Sequence, residues 1–321
     1  MNKGFTRFAW LVLGYNLAVI LWGAYVRVSF SGDGCGANWP TCNGRVLPGQ
    51  MTTPTLIEFT HRMMTSVDAI LLVALCAWAF LVFPKGHAVR RYGVLSLIFL
   101  FIEALLGAGL VLFRHVARDE SAGRAWYLSA HLVNTMLLLA ALTATAWLAS
   151  TATAQFRLAR IPRLLWGALT VTVAVSITGA IAALGDTLFP AASLAEGMRR
   201  DFSGASSVLL RLRLVHPVIA ILGAAFLIWA AAAMLRGKSE GTLRTAGGRV
   251  IALTLFQLTL GAINLSLLAP VWMQLIHLLT ADIVWVSVVV LALEAGKTSS
   301  RFNDRPLASA AQSRMNGSSI A

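Results

Sequence analysis

Charge is scarce in this chain. Asp, Glu, Lys and Arg make up 12% of its 321 residues and apolar types 58%, against roughly 25% charged residues in an ordinary soluble domain. A water-soluble fold is excluded on that ground. Cysteine is scarcer still, with three in all and none in a C-x-x-C pair. A disulfide-built scaffold, a cysteine-rich zinc site and a thioredoxin-like relay are therefore excluded. Acids are half as frequent as bases, 13 against 26, which raises the question of where the positive excess lies.

What the chain has is apolar length. Eight runs stand at about residues 8–28, 62–83, 92–113, 127–149, 163–183, 212–235, 249–269 and 272–293. Each holds about 20 residues, enough to cross roughly 30 Å of hydrocarbon as a helix. Pro270 splits the last two, since proline breaks a helix and no bilayer needs one of such length. The expected fold is an all-α membrane protein with eight transmembrane helices. The excess basic residues sit at Lys3, Arg7, Lys85, Arg90, Arg91, in 157–163, in 236–249 and from Lys297 onward. All these stretches fall on one side of an eight-span topology. By the positive-inside rule that side is the cytoplasm and holds both termini, as in a bacterial-type inner membrane. The charge is then a topology signal, and nucleic acid is not an expected partner. The first run has the flanks of a signal peptide but no convincing cleavage site, so it reads as a retained helix. Residues 297–321 read as a disordered cytoplasmic tail.

The chain repeats itself. Gly23-Ala24 matches Gly179-Ala180, His61 matches His216, Glu103 with Gly107-Ala108 matches Gln257 with Gly261-Ala262, and His131 matches His277. This predicts two tandem, pseudo-symmetric four-helix bundles, 1–149 and 162–296, joined by a linker at 150–161. Small Gly-Ala pairs suit close helix approach in lipid.

Four histidines then stand out. His61, His131, His216 and His277 open the second, fourth, sixth and eighth runs, so all four lie at similar depth toward the outer face. Imidazole inside a membrane marks a functional site. Two facing pairs suit haem irons with two axial histidines better than zinc, which would need clustered His, Cys and carboxylate ligands. Interhelical hydrogen bonding is the plainer reading. Glu58 lies three residues before His61, on the same face of a helix that starts early enough. It is either a first-turn acid favoured by the helix dipole or a catalytic carboxylate. The second half has Arg213 in its place. Cys35 and Cys42 lie in the first outer loop, where a bridge would persist as a staple or as an exchanging dithiol. Cys76 reads as core packing. Arg27, Arg62, Arg211 and Arg213 read as interfacial snorkelling or as forks for haem propionates. Asp68 is a proton relay or a polar contact. Glu103 and Asp282 suggest nothing beyond interhelical hydrogen bonds, and His87 and His115 read as solvated loop-end residues.

The segment Gly32-Asp33-Gly34-Cys35, then Trp39-Pro40-Thr41-Cys42-Asn43-Gly44, then Glu58-Phe59-Thr60-His61-Arg62, resembles the haem A synthase family over about residues 8–293. The resemblance implies oxidation of the C8 methyl of haem O to a formyl group by successive hydroxylations, supplying haem A to cytochrome c oxidase. It implies substrate haem O between His61 and His131, a resident haem b between His216 and His277, and a Cys35–Cys42 disulfide. Some members carry a second cysteine pair in the third outer loop; residues 184–210 have none. The electron donor is unassigned. A complex with the haem O synthase is reasonable on substrate-handling grounds. The competing reading is a quinol-linked, bis-histidine b-type electron carrier. It needs neither the cysteine loop nor an acid in one half alone.

Overall fold

The computed structural model describes residues 2–151, 156–201, 208–236 and 241–297, without the side chains of 198 and 208–212. The 297–321 tail lies outside these residues except for Lys297. Nine α-helices form among them: α1 Lys3–Val28, α2 Thr53–Val82, α3 Ala88–Leu112, α4 Ala122–Ser150, α5 Arg163–Leu188, α6 Leu194–Asp201, α7 Val208–Leu235, α8 Thr242–Ser266 and α9 Val271–Ala295. All but α6 are long and apolar enough to cross a membrane. The protein is a multi-pass, all-helical membrane protein.

Local chemistry sets the helix starts. Asn2, Thr52 and Ser121 accept from backbone N–H groups three residues on, and Pro54 stands in the first turn of α2. These caps satisfy donors that a helix start leaves unpaired. Pro162 and Pro270 directly precede α5 and α9. The cap at Thr52 begins α2 well before the apolar run, which puts Glu58 and His61 on one helix. The third outer loop is shorter than expected, because α5 runs on to Leu188 and α6 fills part of the remainder.

Helices α1–α4 close into one four-helix ring, and α5, α7, α8 and α9 into a second. The rings share a seam in which α9 packs against α1 and α4, and α5 against α4. Trp285, Val289 and Leu293 of α9 belong to the same core as Phe5, Leu72, Leu139 and Leu142 of the first half. Trp285 Nε1 donates to the Met136 carbonyl at 2.8 Å. At the far end Glu294 joins three helices, accepting from Trp147 Nε1 (3.0 Å), Thr242 Oγ1 (2.7 Å) and Lys297 Nζ (2.5 Å). Outward faces carry apolar side chains such as Leu81, Ile70 and Phe101. In a bilayer such faces meet lipid at no desolvation cost.

Candidate functional site

Each of the four histidines lies against a glycine on the preceding spanning helix. A β-carbon at Gly23 would stand 3.0 Å from His61 Cε1, one at Gly179 3.0 Å from His216 Cε1, and one at Gly261 3.1 Å from His277 Cε1; at Gly107 it would stand 3.7 Å from His131 Nε2. The first three distances are too short for any larger residue without moving the ring. The matched Gly-Ala pairs therefore do more than bring helices together, because they seat the imidazoles. His61 of α2 neighbours His131 of α4, and His216 of α7 neighbours His277 of α9.

The ring nitrogens are treated differently in the two halves. His216 Nδ1 lies 3.0 Å from Thr178 Oγ1. His277 Nδ1 lies 3.2 Å from Gln257 Nε2, an amide that also donates to the His277 carbonyl at 3.0 Å. His131 Nδ1 lies 2.8 Å from Glu103 Oε1, although the angle falls short of an aligned hydrogen bond. His61 Nδ1 is buried and has no partner. The residue matching Thr178 in the first half is Trp22, whose indole donates instead to the Ile57 carbonyl at 3.0 Å.

Glu58 and Arg62 clamp the first outer loop. Cys35 and Cys42 form a disulfide. The Cys35 N–H donates to Glu58 Oε2 at 2.8 Å, and Glu58 Oε1 pairs with Arg62 Nη2 at 2.5 Å. Arg62 Nη1 donates to the carbonyls of Asn38 (2.9 Å) and Thr41 (2.8 Å), so the guanidinium is turned to the loop. Gly34 lies so tightly on the start of α2 that a β-carbon would stand 2.4 Å from the Pro54 carbonyl. In the second half Arg213 pairs with Asp201 at 2.5 Å and Asp186 at 3.1 Å. Arg27 keeps a buried Nε with no hydrogen-bond partner, between the charges of Arg124 and Asp186. The Arg211 side chain lies outside the described residues.

Several smaller expectations need correction or detail. His87 accepts from the Val89 N–H as the cap of α3, and His115 lies 2.8 Å from Asp119 Oδ2, so both are partnered and neither is simply solvated. Asp68 accepts from Asn16 Nδ2 at 2.7 Å, a buried polar contact between α1 and α2. Cys76 is free and buried. Sequence reasoning missed the partners Thr178, Gln257 and Glu103. It also missed Arg124, which is buried and donates to the carbonyls of Ala117 (2.7 Å) and Asp119 (2.9 Å).

The donor set fits haem. Among the described residues no three His, Cys, Asp or Glu side chains cluster as ligands for a bare metal ion. A porphyrin iron already has four ring nitrogens and needs two more donors, one from each side. Paired imidazoles supply that number, and the unpartnered Arg27 Nε suits a carboxylate. Fold and site together define a duplicated, helical membrane protein with one histidine pair in each bundle. The chain belongs to the COX15-CtaA family of cytochrome oxidase assembly proteins, whose profile matches residues 6–289. It is 42% identical to a protoheme IX farnesyltransferase of Thermus thermophilus over 90% of this chain and 48% of that protein. It is 34% identical to the haem A synthase of Exiguobacterium sibiricum over 36% of this chain, and 41% identical to that of Lysinibacillus sphaericus over 30%. The chain spans about half the length of the Thermus relative, and the matched segments cover 38% and 32% of the two synthases.

Proposed function

We propose that this protein is a haem A synthase, an oxidoreductase that converts the C8 methyl of haem O to a formyl group. One observation carries the reading: two matched histidine pairs stand on one scaffold, yet among the described residues only the first has a buried glutamate on the histidine's own helix, one turn before it, bonded to a disulfide loop. The family and the haem A synthase relatives support it. The half at 1–149 would take the substrate, with His61 and His131 as the residues that would hold its iron. The half at 162–296 holds haem b through His216 and His277, and when bound this group supplies electrons.

The chain's own residues position and polarise. Gly23, Gly179 and Gly261 leave their imidazoles no room toward the facing helix, which fixes the ring positions, and Gly107 faces His131 more loosely. Glu58 is fixed by Arg62 and the Cys35 N–H, which keeps a carboxylate one helical turn above His61. There it stabilises positive charge that develops as the methyl is oxidised, or takes its proton. Arg27 offers its unpartnered Nε–H to a propionate, as a charged donor that suits carboxylate. Both termini face the cytoplasm of a bacterial-type inner membrane, and the haem sites face outward. Haem O is too apolar to cross water freely. The Thermus relative is named for haem farnesylation and is about twice as long as the matched segment, which supports direct hand-over from a farnesylating partner.

Haem extraction and chromatography from cells making this chain together with a haem O synthase tests the proposal. Haem A, or its hydroxylated precursor, is expected only when the chain is present. Haem B and haem O alone, with a bis-histidine spectrum in the purified protein, would overturn it in favour of a b-type electron carrier.

A further inference from the structure

The two bundles hold their fourth-helix histidines with different chemistry. Glu103 lies one turn before Gly107 on α3 and places its carboxylate charge beside the His131 ring, with Oε1 2.8 Å from Nδ1, off the line of an aligned hydrogen bond. Two donors from α4 hold that carboxylate. Asn134 Nδ2 donates to Oε2 at 2.5 Å, and the Thr135 hydroxyl donates to Oε1. Asn134 is itself tied to the Phe99 carbonyl at 2.8 Å. Asn134 and Thr135 follow His131 by three and four residues, so ligand and carboxylate clamp share one face of α4. At the matching place in the second half stands Gln257, a neutral amide against His277. The other ring of that half meets the neutral hydroxyl of Thr178. Among the described residues no charged side chain hydrogen-bonds or ion-pairs with either ring of the second half.

An imidazole whose Nδ1–H faces a carboxylate becomes a stronger electron donor through Nε2, and such a ligand favours the oxidised state of the iron it holds. An amide or hydroxyl does this much less. We propose that Glu103 is a positioning residue for His131 that sets the first-half haem to a lower reduction potential than the second-half haem, with Gln257 as its uncharged counterpart. The inference rests on the reading of the histidine pairs as haem ligands.

Potentiometric titration of the purified haem-loaded protein tests this, with His131→Ala and His277→Ala assigning each wave to its half. Glu103→Gln is expected to move the first-half wave to higher potential and leave the other in place. Gln257→Glu is expected to move the second-half wave to lower potential. Unmoved waves in both variants, with haem still bound, would overturn the proposal, as would equal movement of both waves in either one. Where Glu103→Gln loses first-half haem through a folding defect, Gln257→Glu alone decides, a downward shift supporting the proposal and no shift overturning it. Should His131→Ala leave every wave of the wild-type protein unchanged, the ligand reading itself fails and takes the inference with it, a result distinct from the others.

Discussion

Three residues before His61 stands Glu58; three before His216 stands Arg213. The two halves solve one mechanical problem, fastening an outer loop to the helix that carries a histidine, with opposite charges. In the first half the helix supplies both members of the ion pair, Glu58 and Arg62, and the loop supplies backbone N–H and carbonyl groups and a disulfide. In the second half the helix supplies the cation, and the acids come from α5 and α6. Pro217 occupies the place matching Arg62 and can clamp nothing. The comparison separates frame from function. A glycine faces each histidine in both bundles, more loosely at Gly107 than at the other three, and these contacts define where a haem would sit. The charged layer above the histidines and the partners of the ring nitrogens differ, and there the halves acquire separate tasks.

The largest expected effect breaks the comparison outright. His131→Ala and His277→Ala should each abolish one haem signal and spare the other, as seen in pyridine haemochrome content and low-spin absorbance. Loss of both signals from either single change would mean that the bundles do not bind haem separately. Next, Glu58→Gln should retain haem while haem A yield falls by roughly a hundredfold, the scale of a lost acid–base group. Full yield would remove Glu58 from the chemistry and leave it a loop clamp like Arg213. Smallest is an effect at the loop before α4. Burial alone would raise the Asp119 carboxyl, but hydrogen bonds from His115 and Ser121 outweigh it and hold the group below its usual range. A depressed carboxylate contributes stability that is present above the unfolded pKa, about 3.9, and lost as pH falls through the folded value. Asp119→Asn should therefore lower thermal stability in detergent slightly at neutral pH, where the carboxylate's contribution is present, and flatten acid sensitivity below about pH 4. An unaltered acid profile would show that this contact contributes nothing.

Much of this is legible in the sequence because a repeat writes its important positions twice. The four histidines, their Gly-Ala partners and the odd acid at Glu58 all emerge from matching one half against the other. The Glu103–His131 contact does not, although Glu103 and Gln257 match. Which residues of α3 face α4 depends on helix rotation, and a helix apolar on all sides gives no moment from which to read it. Arg62 reads as a propionate or interface residue because loop carbonyls are invisible in a sequence. The cap at Thr52 escapes notice since polar helix starts lie outside an apolar run. His115 and Asp119 meet through loop geometry alone.

The seam between the bundles also bears on how the chain is made. Every residue of α4 from Ala141 to Ala149 is buried, Thr143 and Thr145 among them, and α9 supplies part of the cover. Helices enter the membrane in the order of synthesis, so α4 is in place long before α9 emerges. Until then the part of α4 that α9 covers, at the Met136 carbonyl to which Trp285 donates, is open. The first bundle is thus built early but sealed late. A ribosome that stalls before residue 271 leaves behind an unfinished first half as well as a missing second one, and quality control in the membrane has an uncovered helix face by which to recognise it.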